Sequence, residues 1–158
     1  MVMETTPVAE ESPPPVIWPD RVIFLCAEYL FAVKLLETRE IVPPMPLTRL
    51  PGCGPEVAGL IGLRGRVITV FDFGVLLGLP SALKVADHRI IVLDLGERVA
   101  GFAVDRIVEV VRGEDAAIEA GEGPPLLIGS DDIEGVGQLK DVPWYSLDIH
   151  AMLARLLV

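Results

Sequence analysis

The chain is written twice, and that restricts its fold more than any other feature. "AGLIGLRGRVITVFDF" (Ala58–Phe73) is answered 76 residues later by "EGVGQLKDVPWYSLDI" (Glu134–Ile149). In both, a Gly is followed four residues on by Leu and then a basic residue, and Asp with an apolar neighbour stands eight residues after that basic residue. Upstream, "RVIFLCAEYLFAV" (Arg21–Val33) recurs in character as "RIIVLDLGERVAGFAV" (Arg89–Val104), each a strand, a Glu-containing turn and a second strand. "REIV" (Arg39–Val42) and "VEVV" (Val108–Val111) extend the two hairpins. The copies run over about 20–80 and 88–157.

Short β-branched runs with period-two alternation, separated by Gly and Pro, make this mainly a β protein. A copy of about seventy residues buries little surface alone, so the copies should pack on each other. Closing short strands into barrels removes exposed edges. The expectation is two pseudo-equivalent small five-stranded β-barrels with a shared apolar seam, short helices and a C-terminal helix. Asp72 and Asp148 each stand where an N-cap accepts from the first free amides of a helix. After Asp148, Ile149, Met152, Leu153, Leu156 and Leu157 fall on one helical face. Residues 1–19, rich in Pro, Glu and Thr, read as a flexible arm, and the folded body starts at about Asp20.

Mean hydropathy is +0.51 with 51% hydrophobic residues, which raises the question of a membrane span. The most apolar stretch, Val22–Val33, is cut by Glu28 and falls short of the roughly 20 residues a spanning helix needs. No secretory signal is visible in the first twenty residues, so a cytoplasmic protein without membrane insertion is expected. Net charge is -10, and no basic stripe offers itself to nucleic acid. Cys26 and Cys53 read as free thiols, and His88 and His150 lack partners at metal-ligand spacing. Asp131 and Asp132, beside Gly129 and Ser130, read as a solvated turn.

No nucleophile elbow, zinc-protease helix, P-loop or dinucleotide fingerprint occurs. A binding module is the natural alternative to an enzyme, with its site where the copies differ; a small metabolite in the seam or an unrecognised hydrolase site stays open. The corner Leu63-Arg64-Gly65-Arg66 answers to Leu139-Lys140-Asp141-Val142. Gly65 supplies the positive φ of a tight turn, for which Asp141 is a permitted substitute. Leu63 and Val67 should face the core or the seam, and a guanidinium beside apolar surface needs a carboxylate. Glu40 is the candidate, with Glu109 and Lys140 as a recurrence of the pair in the second copy.

These residues resemble a family. "GLIGLRGRVITVFDFGVLLGL", "LLETREIV", "IIVLDLGERVAGFAVDRIVEVV" and "LIGSDDIEGVGQLKDVPWYSLDIHAML" together look like CheW, the coupling protein of bacterial chemotaxis, over about Arg21–Leu157. The resemblance implies a pair of packed five-stranded barrels with no enzyme activity and no cofactor. It implies two partners: the regulatory domain of a CheA-type histidine kinase, and the cytoplasmic tip of methyl-accepting chemoreceptors in arrays at the inner membrane. Glu40 and Arg64 match the family's receptor-coupling pair, and Leu35, Val67 and Gly59 would line the receptor groove. An adaptor of a parallel chemosensory pathway, with surface motility or another output, fits the same resemblance.

Overall fold

The computed structural model describes residues 14–126 and 130–157, so the expected arm lies outside the described residues as far as residue 13. Ten strands are described: β1 (Arg21–Cys26), β2 (Tyr29–Lys34), β3 (Thr38–Val42), β4 (Val57–Leu63), β5 (Arg66–Asp72), β6 (Arg89–Asp94), β7 (Val99–Val104), β8 (Arg106–Val111), β9 (Ile133–Leu139) and β10 (Val142–Leu147). Helix α1 (Phe73–Leu76) follows β5 and α2 (Ile149–Leu156) follows β10. The strands form two five-stranded sheets, sheet I in the order β8-β1-β2-β10-β9 and sheet II in the order β3-β6-β7-β5-β4.

The two sheets are not the two copies. Sheet I takes β1 and β2 from the first copy and β8, β9 and β10 from the second, and sheet II takes the complement. Parallel contacts stitch the exchange: β2 lies beside β10 with Phe31 opposite Tyr145, and β7 beside β5 with Ala100 opposite Thr69. All remaining pairs are antiparallel. Each sheet is drawn round on itself by the loop leaving its edge strand. Thr48, after β3, exchanges backbone hydrogen bonds of 2.9 and 2.8 Å with Leu60 on β4, and Glu119, after β8, does the same with Val136 on β9 at 2.9 Å in both directions.

Period-two alternation now explains the high hydropathy. One face of each sheet lines its own interior: Ile23, Ala32, Val111 and Trp144 in sheet I, and Val42, Ile61, Ile68, Val70, Ile90 and Val92 in sheet II. The other face meets the opposite sheet in a larger seam of Val22, Phe24, Phe31, Val33, Phe71, Phe73, Ile91, Leu93 and Phe102, closed by Ile149, Met152 and Leu153 of α2. Central strands are therefore apolar on both faces, and "VIFLC" and "IIVL" read as continuous runs. Phe73 sits edge-on to Phe24 and Phe31, at centroid distances of 5.3 and 5.1 Å, a geometry that adds about 1 kcal/mol per pair to simple burial.

Local chemistry places the ends of the elements. Asp72 Oδ1 accepts from Val75 N at 3.3 Å, so it caps α1, and also from Ala82 N at 3.0 Å, while Ser81 Oγ donates to Oδ2. Asp148 Oδ1 accepts from Ala151 N at 3.0 Å at the start of α2. Asp132 departs from the solvated turn expected of it. Asp131 is exposed, but Asp132 is buried beneath α2, where Arg155 Nη1 donates to its Oδ1 at 2.6 Å. The helix docks on the seam and carries a guanidinium down onto that carboxylate.

Candidate functional site at the rim of sheet II

The β4–β5 hairpin closes in two residues, Arg64 and Gly65, with φ of 50° and 78°. Left-handed conformation at both central positions is what the type I′ turn requires, because its twist matches that of the strands. Lys140 and Asp141 repeat it at 49° and 68°. In sheet II the turn holds Arg64 toward the opposite edge strand: Arg64 Nε donates to Glu40 Oε1 at 2.8 Å and Nη2 to Oε2 at 3.3 Å. The pair is a two-point fork between the corner of β4–β5 and β3. It raises the Arg64 guanidinium above its usual range and, through the same hydrogen bond, holds the Glu40 carboxyl below its own.

The setting of the pair differs from a buried one. Arg64 keeps 69% of its side chain exposed. Val67 is exposed as well, at 73%, and so does not enter the core or the seam as its apolar character suggests. Alternation along β5 explains why: Ile68 and Val70 line the interior, while Val67, Thr69 and Phe71 share the other face, which reaches the buried seam only at Phe71. Val67 is thus the solvent end of the seam face. Leu35, in the 3-10 turn between β2 and β3, is half-buried against the seam, with its amide donating to Asp20 O at 2.9 Å. Gly59 has φ of 146°, and a Cβ there would stand 2.6 Å from Thr48 O. Its lack of a side chain lets the loop after β3 lie on β4.

Sequence reasoning missed a second cluster on the same rim. Asp94, at the end of β6, pairs with Arg39 Nη1 at 2.8 Å and Arg66 Nη1 at 3.8 Å, and its Oδ1 accepts from Gly96 N at 2.8 Å. The Gly96 amide, with Arg39 and Arg66 in support, holds this carboxyl below the usual range. The signal was present in "LDLGER", an Asp two residues before a Gly at a strand end.

Register shows how far the copies diverge. Glu40 faces Val92 on β6 as Glu109 faces Ile23 on β1, so Glu109 is the counterpart of Glu40, yet Glu109 and Lys140 form no ion pair. The interiors differ more. Arg21 pairs with Lys34 as Ile90 pairs with Ala103, so the partner of Arg21 is Ile90 and not the Arg89 that the letters suggest. Arg21 is buried, donates from Nε to Ser146 Oγ at 3.2 Å and from Nη1 to Ala116 O, stands 3.6 Å from Glu134 Oε2, and lies over the Trp144 ring at 6.0 Å. Ser146 Oγ donates to Glu134 Oε2 at 2.7 Å. In sheet II the positions of Arg21, Glu134, Trp144 and Ser146 hold Ile90, Ala58, Ile68 and Val70, all in its apolar core.

The remaining candidates are quickly placed. Cys26 is buried, and desolvation, with the charges of Asp105 and Asp72, pushes its thiol up to about 12; Cys53 is exposed. Among the described residues no group of three or more potential ligands could hold a metal ion, and no helix is long and apolar enough to cross a membrane. A cleft of about 460 Å³ lies between the acidic stretch after β8 and strands β9 and β10, lined by Glu114, Asp115, Glu119, Glu122 and Tyr145, away from the rim residues.

With the two intertwined sheets and their charged rim in view, the sequence matches the CheW-like domain over residues 20–157. The chain belongs to the CheW-like domain family. The chemotaxis protein CheW of Rhizobium meliloti (strain 1021) is 33% identical over 98 residues, which is 62% of this chain and 63% of that protein, so the match spans less than two thirds of its length. The protein of the same name from Helicobacter pylori is 29% identical over 119 residues, 75% of this chain and 71% of that one. The crystal structure of the scaffolding protein TtCheW from Thermoanaerobacter tengcongensis superposes with a TM-score of 0.73 at 27% identity, covering 84% of this chain and 90% of that one. The CheW-like fold is thus shared with that protein.

Proposed function

We propose that this CheW-like chain is a non-enzymatic adaptor coupling a CheA-type histidine kinase, through its regulatory domain, to the cytoplasmic tip of methyl-accepting chemoreceptors in arrays at the inner membrane. Residues 20–158 form the adaptor unit, with about 20–80 and 88–157 as its two sequence copies. One observation carries the receptor half of the reading: the Arg64–Glu40 fork stands on an exposed rim where the apolar seam face of β5 surfaces at Val67. An exposed aliphatic side chain flanked by fixed charge suits a helical partner with an apolar stripe and polar flanks. Leu35 and Gly59 complete the groove, one as an apolar flank at the first crossing between sheets and the other by allowing the loop after β3 to lie flat. Family membership and the scaffold described for the Thermoanaerobacter protein support the kinase half. Capture of a purified kinase regulatory domain and of a receptor-tip fragment tests the reading, and binding to neither overturns it.

A further inference from the structure

The chain first passes from sheet I to sheet II through the 3-10 turn Leu35–Glu37, and the middle residue of that turn points away from the protein. Leu35 is half-buried against the seam and Glu37 keeps only 13% of its side chain exposed, whereas Leu36 between them is 91% exposed. A single exposed aliphatic is ordinary on any protein surface, and two observations set this one apart. The first is that its backbone is fixed on both sides. Leu35 N donates to Asp20 O at 2.9 Å, Thr38 N donates to Leu35 O, and Thr38 Oγ1 donates to Lys34 O at 3.2 Å. Leu36 is thus presented on a fixed turn, and a partner that covers it meets little ordering cost.

The second observation is its position relative to Val67. Thr38, Leu93, Ala100 and Thr69 stand in one row across β3, β6, β7 and β5, and Leu93 and Ala100 belong to the buried seam. Strands β3 and β5 run in the same direction. Leu36 precedes Thr38 by two residues as Val67 precedes Thr69, so both stand at the same solvent end of the sheet. The charged cluster agrees with this placement: Arg39 from β3 and Arg66 from β5 reach the one carboxylate of Asp94 at the end of β6. We propose that Leu36 and Val67 are paired apolar anchors for the receptor helix, with the Arg39–Asp94–Arg66 cluster between them. Leu35 serves the groove by holding the turn, and Leu36 is the side chain of the crossing that the partner covers. The inference rests on the receptor half of the function proposed above. Three strand spacings separate the anchors, about 14 Å, which a helix spans in about two to three turns. The partner it fits is therefore a helix with an apolar residue at each end of such a span and polar residues between them to meet the cluster.

Titration of a purified receptor-tip fragment against the full chain tests the pairing. Leu36→Ala and Val67→Ala should each raise the Kd by about tenfold, the effect of withdrawing a largely covered aliphatic. Because the anchors are far apart, the double variant should lose about the product of the two. Val142→Ala, which trims an exposed aliphatic of sheet I, should bind as the wild type does. Leu35→Ala should lower the midpoint of thermal unfolding, and Leu36→Ala, at an exposed position, should leave it in place. Wild-type affinity in Leu36→Ala overturns the anchor while the receptor reading stands. Failure of the wild type itself to bind the fragment overturns that reading and the anchor with it.

Discussion

Arg21 and Ile90 hold the same place in two sheets built to one plan, and one is a buried guanidinium where the other is a core aliphatic. Taking away one member of a buried charge pair leaves the other unpaired, whereas replacing the whole group by apolar side chains of suitable shape is often neutral or favourable. Arg21→Ala should destabilise the protein by about 3 kcal/mol, measured by denaturant unfolding. Glu134 keeps Lys34 as a second partner, which holds the loss to that end of the range. The triple variant Arg21→Ile, Glu134→Ala, Ser146→Val copies sheet II and should recover most of the loss.

The rim pair predicts the opposite separation of stability from function. Arg64→Glu places two carboxylates where a fork now stands, but in an exposed position, so cooperative unfolding should persist while capture of the receptor tip falls. Glu40→Gln should act in the same direction and more weakly. If either variant unfolds, the pair is an element of the fold and its recognition role is lost. The Glu40 carboxyl lies below its usual range in the folded chain, so its contribution is present above the unfolded carboxyl range and lost as pH falls through the lower folded value. Capture at about pH 5 should therefore match capture at neutral pH as far as this pair is concerned.

Two glycines separate close approach from open space. A Cβ at Gly137 would collide with the Trp144 ring, its partner across β9 and β10, whereas at Gly62 nothing lies within 4 Å. Gly137→Ala should cost about 1–3 kcal/mol by overpacking. Gly62→Ala should leave stability unchanged or improve it by up to about 1 kcal/mol. Thermal unfolding of the two variants side by side makes the comparison.

The thiols should divide cleanly. Cys53 should react with a disulfide reagent in the native protein at neutral pH, and Cys26 only on unfolding, because it is both buried and held in its neutral form to about pH 12. Two rapid equivalents would contradict the structure.

What the sequence made legible was local. Asp72 and Asp148 announce their caps because an N-cap is a contact with amides two or three residues away, and the hairpins announce themselves because their pairing is short-range. The exchange of strands was hidden because Phe31 beside Tyr145 is a contact between distant stretches that no periodicity encodes. Val67 was misplaced since hydrophobicity names an apolar side chain without saying where its strand leaves the core. Arg21 was matched to Arg89 by letter, and only hydrogen-bond register shows that its counterpart is Ile90. Asp132 was hidden by its company: its neighbours read as a turn, and the helix that covers it comes from the end of the chain.

The exchange of strands has a last consequence. A cut in the exposed link around residues 84–87 would leave one fragment with two strands of sheet I and three of sheet II, and the other with the reverse. Neither would hold a complete sheet, and both would bare one side of the same seam. Each would be a template lacking the other's half, so the two should find one another and rebuild the parent, which makes this chain a natural split protein.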